Sequence, residues 1–102
     1  MNRSKAADAL PQHLRSTFEM IQSAFPRRIE TEEYLSLLAL LSANMSDRNL
    51  ADVVSLIFDI DAAQALNDIY RARTVAAPGP GSLEKIRQQL AACGYEKWLH
   101  EE

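Results

Sequence analysis

Residues 34–41 read Tyr-Leu-Ser-Leu-Leu-Ala-Leu-Leu, a stretch with five leucines and no charged residue. On a helix, at about 100° per residue, its large apolar side chains cover an arc of roughly 220°. The remaining arc carries the small residues Ser36, Ala39 and Ala43, which would let a neighbouring helix approach closely. The stretch therefore predicts a helix at the centre of the fold, with Thr31 as its N-cap.

The other segments show the spacings of amphipathic helices. Ser46 is typical of an N-cap for a third helix, Asp61 for a fourth, and Pro80 suits the first turn of a fifth. Gly94 predicts the end of the fifth helix, and Trp98 allows a short sixth. The expected buried stripes are Leu10, Leu14, Phe18, Ile21 and Phe25 on the first helix, Leu50, Val53, Val54 and Ile57 on the third, Leu66, Ile69 and Tyr70 on the fourth, and Leu83, Ile86 and Leu90 on the fifth. The sequence predicts an all-α fold, an orthogonal bundle of five main helices with a short sixth at the C-terminus as an option.

Length and composition indicate one folded unit. The chain has 102 residues, of which 47% are apolar and 25% charged, values typical of a globular domain. We predict a helical domain at 9–99, a flexible N-terminus at 1–8 and a frayed C-terminus at 100–102.

Charge and cysteine content bear on partners and location. Eleven Lys and Arg against fourteen Asp and Glu give a net charge of −3, which disfavours binding to nucleic-acid phosphates. Cys93 is the single cysteine, so the chain can form no internal disulfide and suits a reducing cytoplasm. Neither a signal-peptide pattern nor an apolar run of about 18 residues is present. We expect a cytoplasmic protein without membrane association.

The pattern of helix-forming residues resembles a known family. Its motifs are Ala24-Phe25-Pro26, Ile29, Leu35 to Leu41 with the core Leu-Leu-Ala-Leu-Leu, Met45-Ser46-Asp47, and Ile86 to Tyr95 with its Leu-Ala-Ala, one residue, Gly and aromatic ending. Together they resemble the small actinobacterial family catalogued as domain of unknown function 3349, over residues 18–98. The resemblance implies an all-helical bundle with no assigned activity and no site residues to transfer. This chain departs from it in a shorter joint at 58–61, where relatives carry a glycine-containing turn.

No set of residues predicts catalysis or metal binding. The two histidines and one cysteine lack metal-ligand spacing. Asp59 and Asp61 could touch Mg²⁺, but helix capping explains them better. Cys93 has no neighbouring base in the sequence, and Gly79 and Gly81 lack the surroundings of a phosphate loop. We therefore predict that the protein is not an enzyme and needs no cofactor or metal.

A basic face is a weaker alternative. Four cationic residues could face DNA together if the fourth and fifth helices pack side by side: Arg71, Arg73, Lys85 and Arg87. However, Asp68 precedes Arg71 by three residues and Glu84 precedes Arg87 by three, so both arginines have helix-surface partners. This pairing disfavours a DNA-binding role.

Several large apolar residues have no obvious place in a five-helix core. They are Met20, Ile60, Tyr70, Val75, Tyr95 and Trp98. A contiguous exposed cluster of this kind marks a partner surface, and we take Met20, Ile60, Tyr70, Tyr95 and Trp98 as its candidate residues. The alternative for Tyr95 and Trp98 is that they close the open end of the bundle.

The sequence thus favours a non-catalytic cytoplasmic protein-interaction module that binds a protein partner or a second copy of itself. Two other functions stay open. One is a DNA-binding accessory protein. The other is a carrier of a small apolar ligand, with a pocket lined by Leu40, Phe58 and Met20.

Overall fold

Six helices are present in the part of the chain that this computed structural model describes, residues 10–26 and 29–100. They are α1 (Gln12–Ala24), α2 (Thr31–Ser42), α3 (Asp47–Phe58), α4 (Ala62–Arg73), α5 (Pro80–Ala91) and α6 (Tyr95–Leu99). These residues contain no strand, so the predicted all-α fold with five main helices and a short sixth is confirmed. The predicted flexible residues 1–8 and the last two of the predicted frayed residues lie outside the described ranges.

The leucine-rich stretch forms α2, and α2 is central as predicted. Leu37, Leu38 and Leu41 have no exposed surface, because α2 packs against α3, α4 and α5. Ser36, on the small-residue face, is also fully buried. The charged residues of α2 lie only in its first turn, because the rest of the helix contacts three neighbours. Acidic side chains in the first turn complement the helix dipole.

The N-caps of α3 and α4 are the predicted residues, whereas the N-cap of α2 lies one residue earlier than predicted. Ser46 caps α3, and its Oγ accepts the Asn49 N–H at 3.1 Å. The N-cap of α2 is Glu30 rather than Thr31, and the Glu30 N–H donates to the Glu33 carboxylate at 3.1 Å. Asp61 holds the N-cap position of α4, but its side chain makes no capping hydrogen bond.

Two helix ends use left-handed backbone. Gly94, between α5 and α6, has a φ of 94°, as expected for a C-terminal glycine. Asp59 ends α3 with a φ of 57°, and the Ile60 N–H bonds back to the Ser55 carbonyl at 3.1 Å. Asp59 thus adopts the backbone conformation that glycine accommodates most easily, which lets the short joint turn the chain from α3 into α4.

Most residues of the predicted stripes are buried, Ile57 on α3 and Leu83 on α5 are half-buried, and α4 departs most from the prediction. All five residues of the α1 stripe lie in the core, where α1 contacts α3, α5 and α6. On α4 only Ile69 of the predicted three is buried, while Leu66 and Tyr70 are exposed. The prediction is wrong for these two because α4 turns the small Ala65 and Ala72 toward its neighbours instead. None of the helices in the described ranges is long and apolar enough to cross a membrane.

Candidate functional site

Three of the five predicted surface residues are buried in the end of the bundle. Met20, Tyr95 and Trp98 are each less than a tenth exposed. The Trp98 indole N–H donates to Thr17 Oγ1 at 2.7 Å, and the Tyr95 ring stacks on the Trp98 ring at 5.8 Å. Because α6 packs against α1 and α5, these aromatic residues close the open end of the bundle, and their assignment to a partner surface is wrong.

The remaining two predicted residues have different surroundings. Ile60 is half-buried and packs on the core at the joint between α3 and α4. Tyr70 is 60% exposed, and Leu66, one helical turn earlier on α4, is 43% exposed. We call Leu66 and Tyr70 the outer stripe of α4. Val75, just after the helix, is 83% exposed.

The basic face was predicted on the condition that α4 and α5 pack side by side, and this condition is not met. Rather than packing extensively along each other, α4 and α5 each lie along α2. Each of the four cations also has a carboxylate neighbour: Arg71 at 4.0 Å from Asp68, Arg73 at 2.7 Å from Asp47, Lys85 at 3.8 Å from Glu33, and Arg87 at 2.9 Å from Glu84. The predicted pairings of Arg71 and Arg87 are confirmed.

A polar cluster joins α2 to α4. Asp68 is only 7% exposed. Its Oδ2 accepts the Tyr34 hydroxyl at 2.8 Å, and its Oδ1 accepts the Gln64 amide at 2.8 Å. Arg71 Nη1 lies 4.0 Å from the same Oδ1. A buried carboxylate needs such partners, because leaving it unpaired costs several kcal/mol. The cluster therefore fixes how α4 sits on α2.

The same cluster controls the Tyr34 proton. Burial raises the pKa of the Tyr34 phenol well above its ordinary value, and the hydrogen bond to Asp68 and the negative charge of Asp68 raise it further. The Tyr34 phenol therefore stays protonated to a higher pH than an exposed tyrosine does, and its hydroxyl donates to Asp68. Its ring also meets Phe58 edge to face, with the ring centroids 5.5 Å apart.

A surface cavity of about 300 Å³ opens beside this cluster. Its walls combine aromatic, aliphatic and acidic side chains: Ile29, Thr31, Tyr34, Phe58, Ile60 and Asp68. The sequence predicted one pocket lined by Leu40, Phe58 and Met20, but Met20 lines a separate cavity of about 280 Å³ between α1 and α6. Of those three residues, Phe58 alone lines the cavity beside Asp68.

Sequence reasoning did not find Tyr34 and Asp68 as a pair. They lie 34 residues apart in the chain, and Asp68 was expected only to pair with Arg71. The available signal is its position: Asp68 precedes Ile69, and both lie on the same helix face as Ala65 and Ala72. A carboxylate on a face lined with alanine and isoleucine needs a partner from another helix.

Within residues 10–26 and 29–100, no group of three or more His, Cys, Asp and Glu side chains could hold a metal ion. Comparison with protein-family models, with curated proteins and with solved structures finds no match for this chain. The resemblance to the domain of unknown function 3349 family therefore stays a prediction.

Proposed function

We propose that this protein is a non-catalytic cytoplasmic interaction module that binds a protein partner through the outer stripe of α4. The observation that carries the proposal is the exposure of Leu66 and Tyr70, at 43% and 60%, on a helix whose opposite face is buried. Residues four apart on a helix are neighbours, so the two side chains form one apolar surface. Tyrosine is also among the residues that contribute most binding energy at interfaces.

The charges around the stripe bear on the kind of partner. Arg71 and Arg73 follow Tyr70 near the end of α4, and the side chain of each is nearly half exposed even though Asp68 and Asp47 are their carboxylate neighbours. A partner segment with apolar side chains bordered by carboxylates complements an apolar stripe followed by two half-exposed arginines. We therefore commit to an acidic, amphipathic protein segment as the occupant.

The wild type and two variants test the proposal. Wild-type protein, a double variant with Leu66→Ser and Tyr70→Ser, and a control with Leu56→Ser are immobilised and incubated with lysate of the source organism. Leu56 is a matched control because it is 40% exposed but lies on α3. Circular dichroism checks that all three fold.

We expect one protein to be retained by the wild type and by Leu56→Ser, lost from the double variant, and released as salt rises. Identical retention by all three proteins would contradict the proposal. A dimer in sedimentation equilibrium that disappears in the double variant would replace the acidic partner by a second copy.

The other parts of the proposal have their own support. The cytoplasmic location is proposed from Cys93, because a chain with one thiol suits a reducing compartment. The non-catalytic role is supported by Asp68, because its Oδ2 accepts the Tyr34 hydroxyl and so links α4 to α2, while Gln64 of the same helix donates to its Oδ1. Membership of the domain of unknown function 3349 family is proposed from the sequence motifs alone.

A further inference from the structure

The cavity beside Asp68 is built from three parts of the fold. Ile29, Thr31 and Tyr34 come from the start of α2 and the residues before it, Phe58 and Ile60 from the end of α3 and the joint, and Asp68 from α4. At about 300 Å³, its volume is at the lower end of the roughly 300–1,000 Å³ usual for small-molecule sites. The mixture of apolar walls with one buried charged group is also typical of such sites.

The polar groups of the cavity can accept hydrogen bonds from a ligand. A carboxylate has about four acceptor positions, and the hydrogen bonds from Tyr34 and Gln64 occupy two of those on Asp68. Arg71, at 4.0 Å, supplies charge but is beyond hydrogen-bond distance. The Tyr34 oxygen, whose O–H donates a hydrogen bond to Asp68, also offers acceptor positions.

The apolar walls favour a positive charge as well. Tyr34 and Phe58 place two aromatic rings at the cavity, and a cation over an aromatic face is attracted by the ring quadrupole. Ile29 and Ile60 provide contact for a hydrocarbon body. A ligand that satisfies all these groups is positively charged at one end and apolar at the other.

We propose that this cavity binds small organic ammonium ions, with the ammonium group donating to Asp68 and the apolar body packed against Phe58 and Ile60. The site is separate from the outer stripe of α4. Asp68 follows Leu66 by two residues and precedes Tyr70 by two, so it lies about 200° around the helix from each. Binding at one surface can therefore be tested without altering the other.

The test compares three probes of similar size on the full chain: 2-phenylethylammonium, the neutral 2-phenylethanol and the anionic phenylacetate. Each is titrated while the backbone amide signals are followed by nuclear magnetic resonance. We expect saturable shifts at the amides of Tyr34, Phe58 and Asp68 with the ammonium. Its dissociation constant should be about tenfold lower than that of the alcohol, because its hydrogen bond to the carboxylate joins two charged groups. Phenylacetate should cause no saturable shift.

Two substitutions test whether ligand binding depends on the charges at the cavity rather than on its shape. Asp68→Asn removes the charge and should bring the ammonium and the alcohol to similar affinity. Arg71→Gln removes the competing cation from a half-exposed position and should strengthen ammonium binding about threefold without changing alcohol binding. Arg87→Gln is the matched control, since Arg87 pairs with Glu84 on α5.

Equal affinity of the ammonium and the alcohol for the wild type would overturn the proposal, and so would shifts confined to amides away from the cavity. If Asp68→Asn does not fold, Arg71→Gln still decides, because an unchanged ratio of ammonium to alcohol affinity refutes the role of charge. The Leu66→Ser and Tyr70→Ser double variant should bind the ammonium as the wild type does, so the two proposals can fail separately.

Discussion

Replacing Tyr34 with phenylalanine removes one hydroxyl from the contact between α2 and α4 and keeps the rest of the side chain. The ring can retain its edge-to-face contact with Phe58, at 5.5 Å between centroids. The lost interaction is the 2.8 Å hydrogen bond to Asp68 Oδ2. Hydrogen bonds to charged groups contribute about 1.5–3 kcal/mol, and an acceptor that stays buried raises the cost of losing the donor. We expect the free energy of unfolding to fall by about 2 kcal/mol.

Urea unfolding followed by far-ultraviolet circular dichroism measures this change. For a chain of this size, about 2 kcal/mol corresponds to a fall in Tm of roughly 8–16 °C. Tyr70→Phe is the matched control, because Tyr70 is largely exposed and its substitution should change stability by less than about 0.5 kcal/mol. If Tyr34→Phe also stays within that range, the hydrogen bond to Asp68 does not hold the two helices together.

The same pair predicts a pH dependence. An unfolded chain releases a tyrosine proton near pH 10, whereas burial and Asp68 hold the pKa of Tyr34 in the folded protein well above that value. Above about pH 10 the folded state therefore binds more protons, so stability falls as pH rises and is fully present below this pH. The slope is at most about 1.4 kcal/mol per pH unit. The Tyr34→Phe variant lacks this contribution. The difference in free energy of unfolding between the variant and the wild type should therefore become smaller between about pH 10 and 12. A constant difference in urea titrations across this range would contradict the pKa shift.

Three further substitutions test the fold. Leu38→Asp should abolish folding, because it places an unpaired charge where no surface is exposed; a cooperative thermal melt near the wild-type Tm would refute the central position of α2. Gly94→Ala should lower the free energy of unfolding in urea by about 1 kcal/mol, because Gly94 has a φ of 94°. No atom obstructs a Cβ there, so an unchanged midpoint would mean that the backbone of this turn relaxes. Asp59→Gly should stabilise by about 0.5 kcal/mol, since Asp59 has a φ of 57°; a loss of stability would show that its side chain contributes to the turn.

The helical core could be predicted from the sequence because the information is local. The α1 stripe, the cap at Ser46 and the left-handed Gly94 each depend on residues within about one or two helical turns, and the structure confirms all three. The central position of α2 also follows from its own composition, since a helix apolar on most of its circumference must meet several neighbours.

The aromatic end of the bundle could not be assigned in the same way. The partner of Trp98 is Thr17, 81 residues earlier in the chain, and no spacing within the C-terminal segment indicates it. An isolated aromatic residue near a chain end is compatible with an exposed surface or with a closing contact. The choice depends on whether a polar group on α1 can satisfy the indole N–H, and only the packed structure decides it.

The largest error, on α4, links both surfaces for which we propose functions. Leu66, Ile69 and Tyr70 have the spacing of a buried stripe, so periodicity alone predicts that Leu66 and Tyr70 are buried. The structure buries Asp68 instead, together with Ile69 and two alanines. Alanines let α4 approach α2 and α3 closely, and the approach becomes favourable because Tyr34 supplies a donor to the buried carboxylate. One rotation of α4 therefore has two consequences: it creates the acidic cavity on one side, and it leaves Leu66 and Tyr70 in solvent on the other. A sequence pattern that scores hydrophobicity along one helix cannot anticipate this exchange, because the residue that makes it possible lies on a different helix.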